Sequence, residues 1–197
     1  MSEEKEKKDL YLQTGVPRKA VLLILSAICF GEGYIILREW IPVLPLTPGH
    51  IILGIGEAFM LCIFMKGMRT QQHPFTLGIS LLTILTLAAL AFPLIPDHET
   101  AGFSTSMLTP ICQAAALATQ FILGLSIHHT LKGYDLDLGW MMMFFTVMLA
   151  VFLLLDYLFG WQWTRIAYGV ALFYFYWMIS ATLVPSIKNT QNNQDNN

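Results

Sequence analysis

The 197-residue chain is 55% hydrophobic and only 12% charged, where soluble domains average about 25% charged residues. That balance excludes an ordinary soluble domain and predicts an all-α, polytopic integral membrane protein whose first partner is the lipid bilayer. A formal net charge of −2 offers no basic face to neutralise phosphates, which excludes a nucleic-acid partner.

Along the chain, residues 1–16 are polar and mixed in charge and are expected to be flexible. No small-residue cleavage site follows the first apolar run, so that run is expected to stay in the mature protein as a span. Six apolar segments, each near the ~20 residues needed to cross ~30 Å of hydrocarbon, fall at about 19–37, 49–66, 75–95, 109–130, 139–159 and 164–184. Proline- and glycine-bearing stretches separate them: "IPVLPLTPG", "KGMRTQQHP", "IPDHETAGFSTSMLTP", "KGYDLDLG" and "GWQW". The runs are continuously apolar and do not alternate as barrel strands do, which predicts a bundle of six transmembrane helices over residues 17–185. The tail 186–197, rich in Asn and Gln, is expected to be disordered.

Six spans place both termini on one side. That side collects nine cationic residues (Lys5, Lys7, Lys8, Arg18, Lys19, Lys66, Arg69, Lys132 and Lys188), and the other only Arg38 and Arg165. The positive-inside rule then predicts cytoplasmic termini and a multi-pass protein of the cell membrane, the inner membrane if bacterial. Trp40, Trp161 and Trp163 fall at the outer interface and Trp140 at the inner one.

Spans meet through small and polar residues, because lipid gives no hydrophobic drive between helices. In the fourth, Thr109, Gln113, Ala116, Gln120, Gly124 and His128 recur at steps of three or four and form one protein-facing stripe. Thr76, Ser80 and Thr83 form a shorter one in the third span, and Gly169, Phe173, Tyr176 and Ser180 another in the sixth. Gly54 and Ala58 make a small-xxx-small pair beside Glu57.

The acidic residues inside the spans are one-sided. At 1.5 Å per residue, Glu57 lies ~10 Å, Glu32 ~9 Å and Asp156 ~6 Å below the outer ends of their helices. An acid at a span centre costs ~2.5–3.5 kcal/mol on insertion scales, and such residues face a cavity or a partner. Arg38 and Arg165 are the candidate partners. Glu32, Glu57, Asp156, Arg38, Gln113, Gln120 and Arg165 are therefore the candidate ligand- or proton-binding residues.

No catalytic or metal-binding motif is present: no HExxH, no P-loop and no GxSxG. Cys29, Cys62 and Cys112 match no metal or redox spacing, the five histidines map to span ends or loops, and no cofactor is expected. Three functions fit this pattern. The first is binding or transport of a small polar or cationic solute, or protons, through an outward-facing cavity. The second is a non-catalytic accessory, assembly or sensory subunit, with another membrane protein or a second copy as partner. The third is an integral membrane enzyme acting on a lipid or isoprenoid.

Overall fold

A computed structural model of the protein describes residues 12, 14–95, 105–131 and 137–183. Among these there are no strands, and six helices are long and apolar enough to cross a membrane. They are α1 (Arg18–Trp40), α2 (Thr47–Thr70), α3 (Thr76–Ala91, whose span continues through a 3-10 turn to Leu94), α4 (Thr105–Thr130), α5 (Leu138–Phe159) and α6 (Gln162–Leu183). Each expected segment falls on one helix. The tail 186–197 and residues 1–11 lie outside the described residues.

Local chemistry sets the helix ends. Pro42 and Pro45 follow the end of α1, and Pro48 sits in the first turn of α2, where its missing N–H costs nothing. At Pro93 the last turn of α3 tightens into a 3-10 turn, Phe92–Leu94. Asp137 caps α5 by accepting a hydrogen bond from the Trp140 N–H at 2.9 Å, and its other oxygen lies 2.6 Å from Nδ1 of His128 on α4. Gly160, with φ of 61°, ends α5 in the left-handed conformation and starts the short turn into α6. The second helix departs from expectation by running past Lys66 to Thr70. Gly67 does not end it, because that glycine is a packing site: a Cβ there would come within 2.8 Å of the Leu12 Cβ.

Consecutive helices pack side by side, α1 also packs on α6, and α2 touches α6 across the ring so formed. The two ends of this ring differ. The half nearest the α2–α3 connection is filled by Met60, Phe64, Ile79, Ile127, Met142, Phe175 and Ile179, all fully buried. The half nearest the α1–α2 connection holds a cavity. They are called the closed and open ends below. At the closed end Leu12 is itself part of the core, and its N–H donates to the Thr182 carbonyl at 3.0 Å. The last residues of the stretch read as a flexible terminus are thus docked against α2 and α6.

A close glycine seam joins α1 and α2. A Cβ on Gly31 would lie 2.7 Å from the Leu53 backbone nitrogen, and one on Gly56 would lie 2.8 Å from Ile28 Cγ1. Gly33 is different, with open space where its Cβ would be. Gly54 makes only ordinary contact with Leu87 and Leu90 of α3. The outward faces carry large apolar side chains such as Leu23, Phe59, Leu77, Ile84, Ile122 and Leu154, all well exposed.

Substitution separates the two glycines of "GEG". Gly31→Ala is expected to destabilise the protein by about 1–3 kcal/mol, because backbone cannot yield to the added methyl as a flexible side chain would. Gly33→Ala is expected to be neutral or to stabilise by up to ~1 kcal/mol, through helix propensity. Unfolding of both variants in the same detergent checks the contrast; equal losses would show that the seam is not the tight contact.

Candidate functional site

The cavity at the open end has a volume of about 500 Å³, within the ~300–1,000 Å³ common for small-molecule sites. Every helix contributes one periodic face. On α1 the face is Glu32, Ile35, Ile36 and Glu39, and on α2 it is His50, Leu53 and Glu57, with Leu46 just before the helix. On α4 it is Thr109, Gln113, Ala116 and Gln120, on α5 Leu149, Phe152, Leu153 and Asp156, and on α6 Arg165, Tyr168, Leu172 and Tyr176. Steps of three and four residues keep each set on one side of its helix. Thr86, Ala89 and Leu90 of α3 and Pro93 of the 3-10 turn after it complete the wall.

All seven residues singled out from the sequence, Glu32, Glu57, Asp156, Arg38, Gln113, Gln120 and Arg165, line this one cavity. They fall into two groups. Near the mouth, Arg165 Nε donates to Asp156 Oδ1 at 2.9 Å and to Oδ2 at 3.2 Å, while Nη1 pairs with Glu39 Oε1 at 2.5 Å. Thr164 Oγ1 adds a weaker bond to Asp156 Oδ1 at 3.3 Å. This network ties α5, α6 and α1 together.

Deeper down, Glu57 is 2% exposed, Gln120 4% and Glu32 8%. The glycine seam explains how two carboxyls come to sit there. Gly31 and Gly56 face the α1–α2 contact, and the next residue on each helix, ~100° further round, is the glutamate that faces the cavity. Gly169 of α6 makes room for Glu32: a Cβ there would lie 3.6 Å from the Glu32 carboxyl carbon and 3.0 Å from Ile36 Cδ1. The Tyr176 hydroxyl lies beside the Glu57 carboxyl.

Arg38 departs from its expected role. It forms no ion pair with any described residue, and its buried Nε has no hydrogen-bond partner. The Gln120 amide nitrogen is likewise buried without a partner.

The sequence reading did not assign Glu39, His50, Tyr168 and Tyr176 to the site. Tyr168 and Tyr176 lie three and eleven residues after Arg165, so helical spacing from that arginine was an available signal. His50 Nδ1 lies 3.2 Å from the Leu46 carbonyl, and donation there leaves Nε2 as the acceptor. Among the described residues no group of three or more His, Cys, Asp or Glu side chains is placed to hold a metal ion. The "DHE" sequence at 97–99 lies outside the described residues.

The stripes of the other helices meet protein as well. Gly124 packs on Gly139 of α5, where a Cβ would overlap the His128 and Gly124 backbones. The Ser80 hydroxyl on α3 donates to the Met65 sulfur of α2 at 3.3 Å. No family model, curated protein or solved structure matches this chain.

The network at the mouth invites a double-mutant cycle. Arg165→Gln leaves Asp156 and Glu39 unpaired at the mouth and is expected to lower stability. Adding Glu39→Gln should restore part of the loss, with a coupling of about 0.5–1 kcal/mol for a partly exposed pair. Thermal unfolding of wild type, both single variants and the double variant reads the coupling; a value of zero would make the contact incidental.

Proposed function

We propose that this chain is a multi-pass membrane protein that binds a small polar or cationic solute in an outward-facing cavity, as a receptor or as part of a transport cycle. The observation that carries this reading is convergence. Six helices send polar side chains into one cavity at one end, while the other end is sealed by apolar packing. Helices held together only by polar glue need no such shared void. The four carboxyls of the cavity wall against two guanidinium groups favour a cationic group on the solute.

The exposed apolar faces support insertion in lipid, since soluble surfaces rarely carry contiguous apolar patches of this extent. Trp40, Trp161 and Trp163 at the open end and Trp140 at the other are all exposed, as interfacial anchors are. In this arrangement both termini lie in the cytoplasm and the open end faces outward, following the distribution of Lys and Arg.

Two experiments test the reading. In a variant with Cys29, Cys62 and Cys112 replaced by Ala, cysteines at Ser2 and Asn197 should react with a membrane-impermeant maleimide only after the membrane is opened. A cysteine at Glu99 should react in intact cells; labelling of all three from outside would overturn the orientation. For the site, purified wild-type protein should bind hexylamine by calorimetry. Glu57→Gln should abolish that binding while its thermal unfolding stays cooperative. Unchanged binding in a folded Glu57→Gln protein would remove the cavity carboxyls from the function.

A further inference from the structure

The charges in the cavity are not evenly matched, and the mismatch is specific enough to name a ligand class. Arg165 is satisfied by Asp156 and Glu39 within the protein. Four groups are not fully satisfied. Glu32 is 8% exposed, with no hydrogen bond or ion pair to another described residue. Glu57, deeper still, has the Tyr176 hydroxyl but no cation. Arg38 lines the same wall with its Nε buried and unpartnered. The Gln120 side chain is 4% exposed, lines the same cavity and has an amide nitrogen without a partner. A buried donor left without a partner costs ~1–3 kcal/mol, so Arg38 Nε and the Gln120 amide favour a ligand that supplies an acceptor, while the two carboxyls favour one that supplies a cation.

A plain cation answers only half of this. It would satisfy Glu32 and Glu57 and leave Arg38 and the Gln120 amide as they are. A plain anion would do the reverse and face two carboxyls. From these groups we infer that the cavity takes a zwitterion, with an ammonium held between Glu32 and Glu57 and an acidic group held by Arg38. This inference rests on the solute-binding reading above and narrows it.

The layout fits a molecule with separated charges. Arg38 is rooted six residues beyond Glu32 on α1, ~9 Å closer to the open end. Between the two levels the wall is apolar, with Ile35, Ile36, Leu53 and Leu172, and suits a short aliphatic linker. Tyr168 and Tyr176 line the same cavity as the carboxyls. The same chemistry occurs in a free amino acid and in the headgroup of a phosphatidylethanolamine, so a test needs an arm for each.

The test compares four probes on the full chain in a non-ionic detergent, by calorimetry. They are ε-aminocaproate, hexylamine, caproate and glycerophosphoethanolamine. The expected result is that ε-aminocaproate or glycerophosphoethanolamine binds about tenfold or more tightly than hexylamine and caproate. Preference for ε-aminocaproate supports a free solute, and preference for glycerophosphoethanolamine supports a lipid headgroup; either supports the zwitterion. Arg38→Gln should reduce the preferred probe to the affinity of hexylamine, and Glu32→Gln should remove hexylamine binding.

Hexylamine binding as tightly as both zwitterions in the wild-type protein would overturn the inference and leave the cation-binding reading standing. No binding of any probe would overturn both. The wild-type comparison needs no variant to fold, and so it decides the matter by itself.

Discussion

Where α1 crosses α2, Gly31 lies on the backbone of Leu53 and Gly56 lies on Ile28, closer than any side chain would allow. That approach fixes the rotation of both helices about their axes. In each case a glutamate is the next residue, and the helical step of ~100° carries it off the contact and into the cavity. Two buried carboxyls on separate helices therefore share one space because two glycines share one seam. A larger residue at either glycine would push the helices apart and turn the carboxyls at the same time, so packing and site chemistry rest on the same atoms.

The division of the bundle into a polar half and an apolar half follows from the cost of burying charge. An unpaired carboxyl is tolerated where a cavity, a hydroxyl or an arginine can answer it, and it is costly elsewhere. Glu32, Glu57 and Asp156 all fall in the half with the cavity, while the closed half is packed with Phe64, Phe175, Met60 and Ile179. Within the polar half there is a second division. Asp156, Arg165 and Glu39 answer one another near the mouth and tie three helices together. Glu32, by contrast, forms no ion pair with a described residue, and Arg38 Nε and the Gln120 amide nitrogen are buried without a partner.

The helices were legible because their runs are continuous and their ends carry proline or glycine. The one-sided acids and the Gln113–Gln120 stripe were legible because depth and face follow from counting along a helix. What counting could not reach is contact between distant segments. Gly31 and Gly33 flank the same glutamate and read alike in the sequence, yet only Gly31 meets another helix. Gly67 reads as a helix end and is an interior packing site for Leu12. Arg165 reads as a partner for any acid near the outer surface; its choice of Asp156 and Glu39 depends on α1 lying against α6. Arg38, read as an equivalent partner, has none. Tyr176 belongs to a stripe read as facing protein and Tyr168 lies one helical step from Arg165, but periodicity does not distinguish a tyrosine facing a void from one facing leucine.

The docked segment at the closed end bears on what kind of machine this could be. Leu12 sits in the core against Gly67 of α2, and its backbone is bonded to Thr182 of α6. It therefore fastens together the two helices whose glutamate and tyrosine meet on the cavity wall. A receptor that captures a solute and presents it to another protein can keep this fastening through every cycle. A carrier that releases the solute on the far side has to part α2 from α6 there, giving up the Leu12–Thr182 backbone bond and opening the core that holds Phe64 and Phe175. Passage by that route would therefore require Leu12 to leave both helices, whereas capture alone would not.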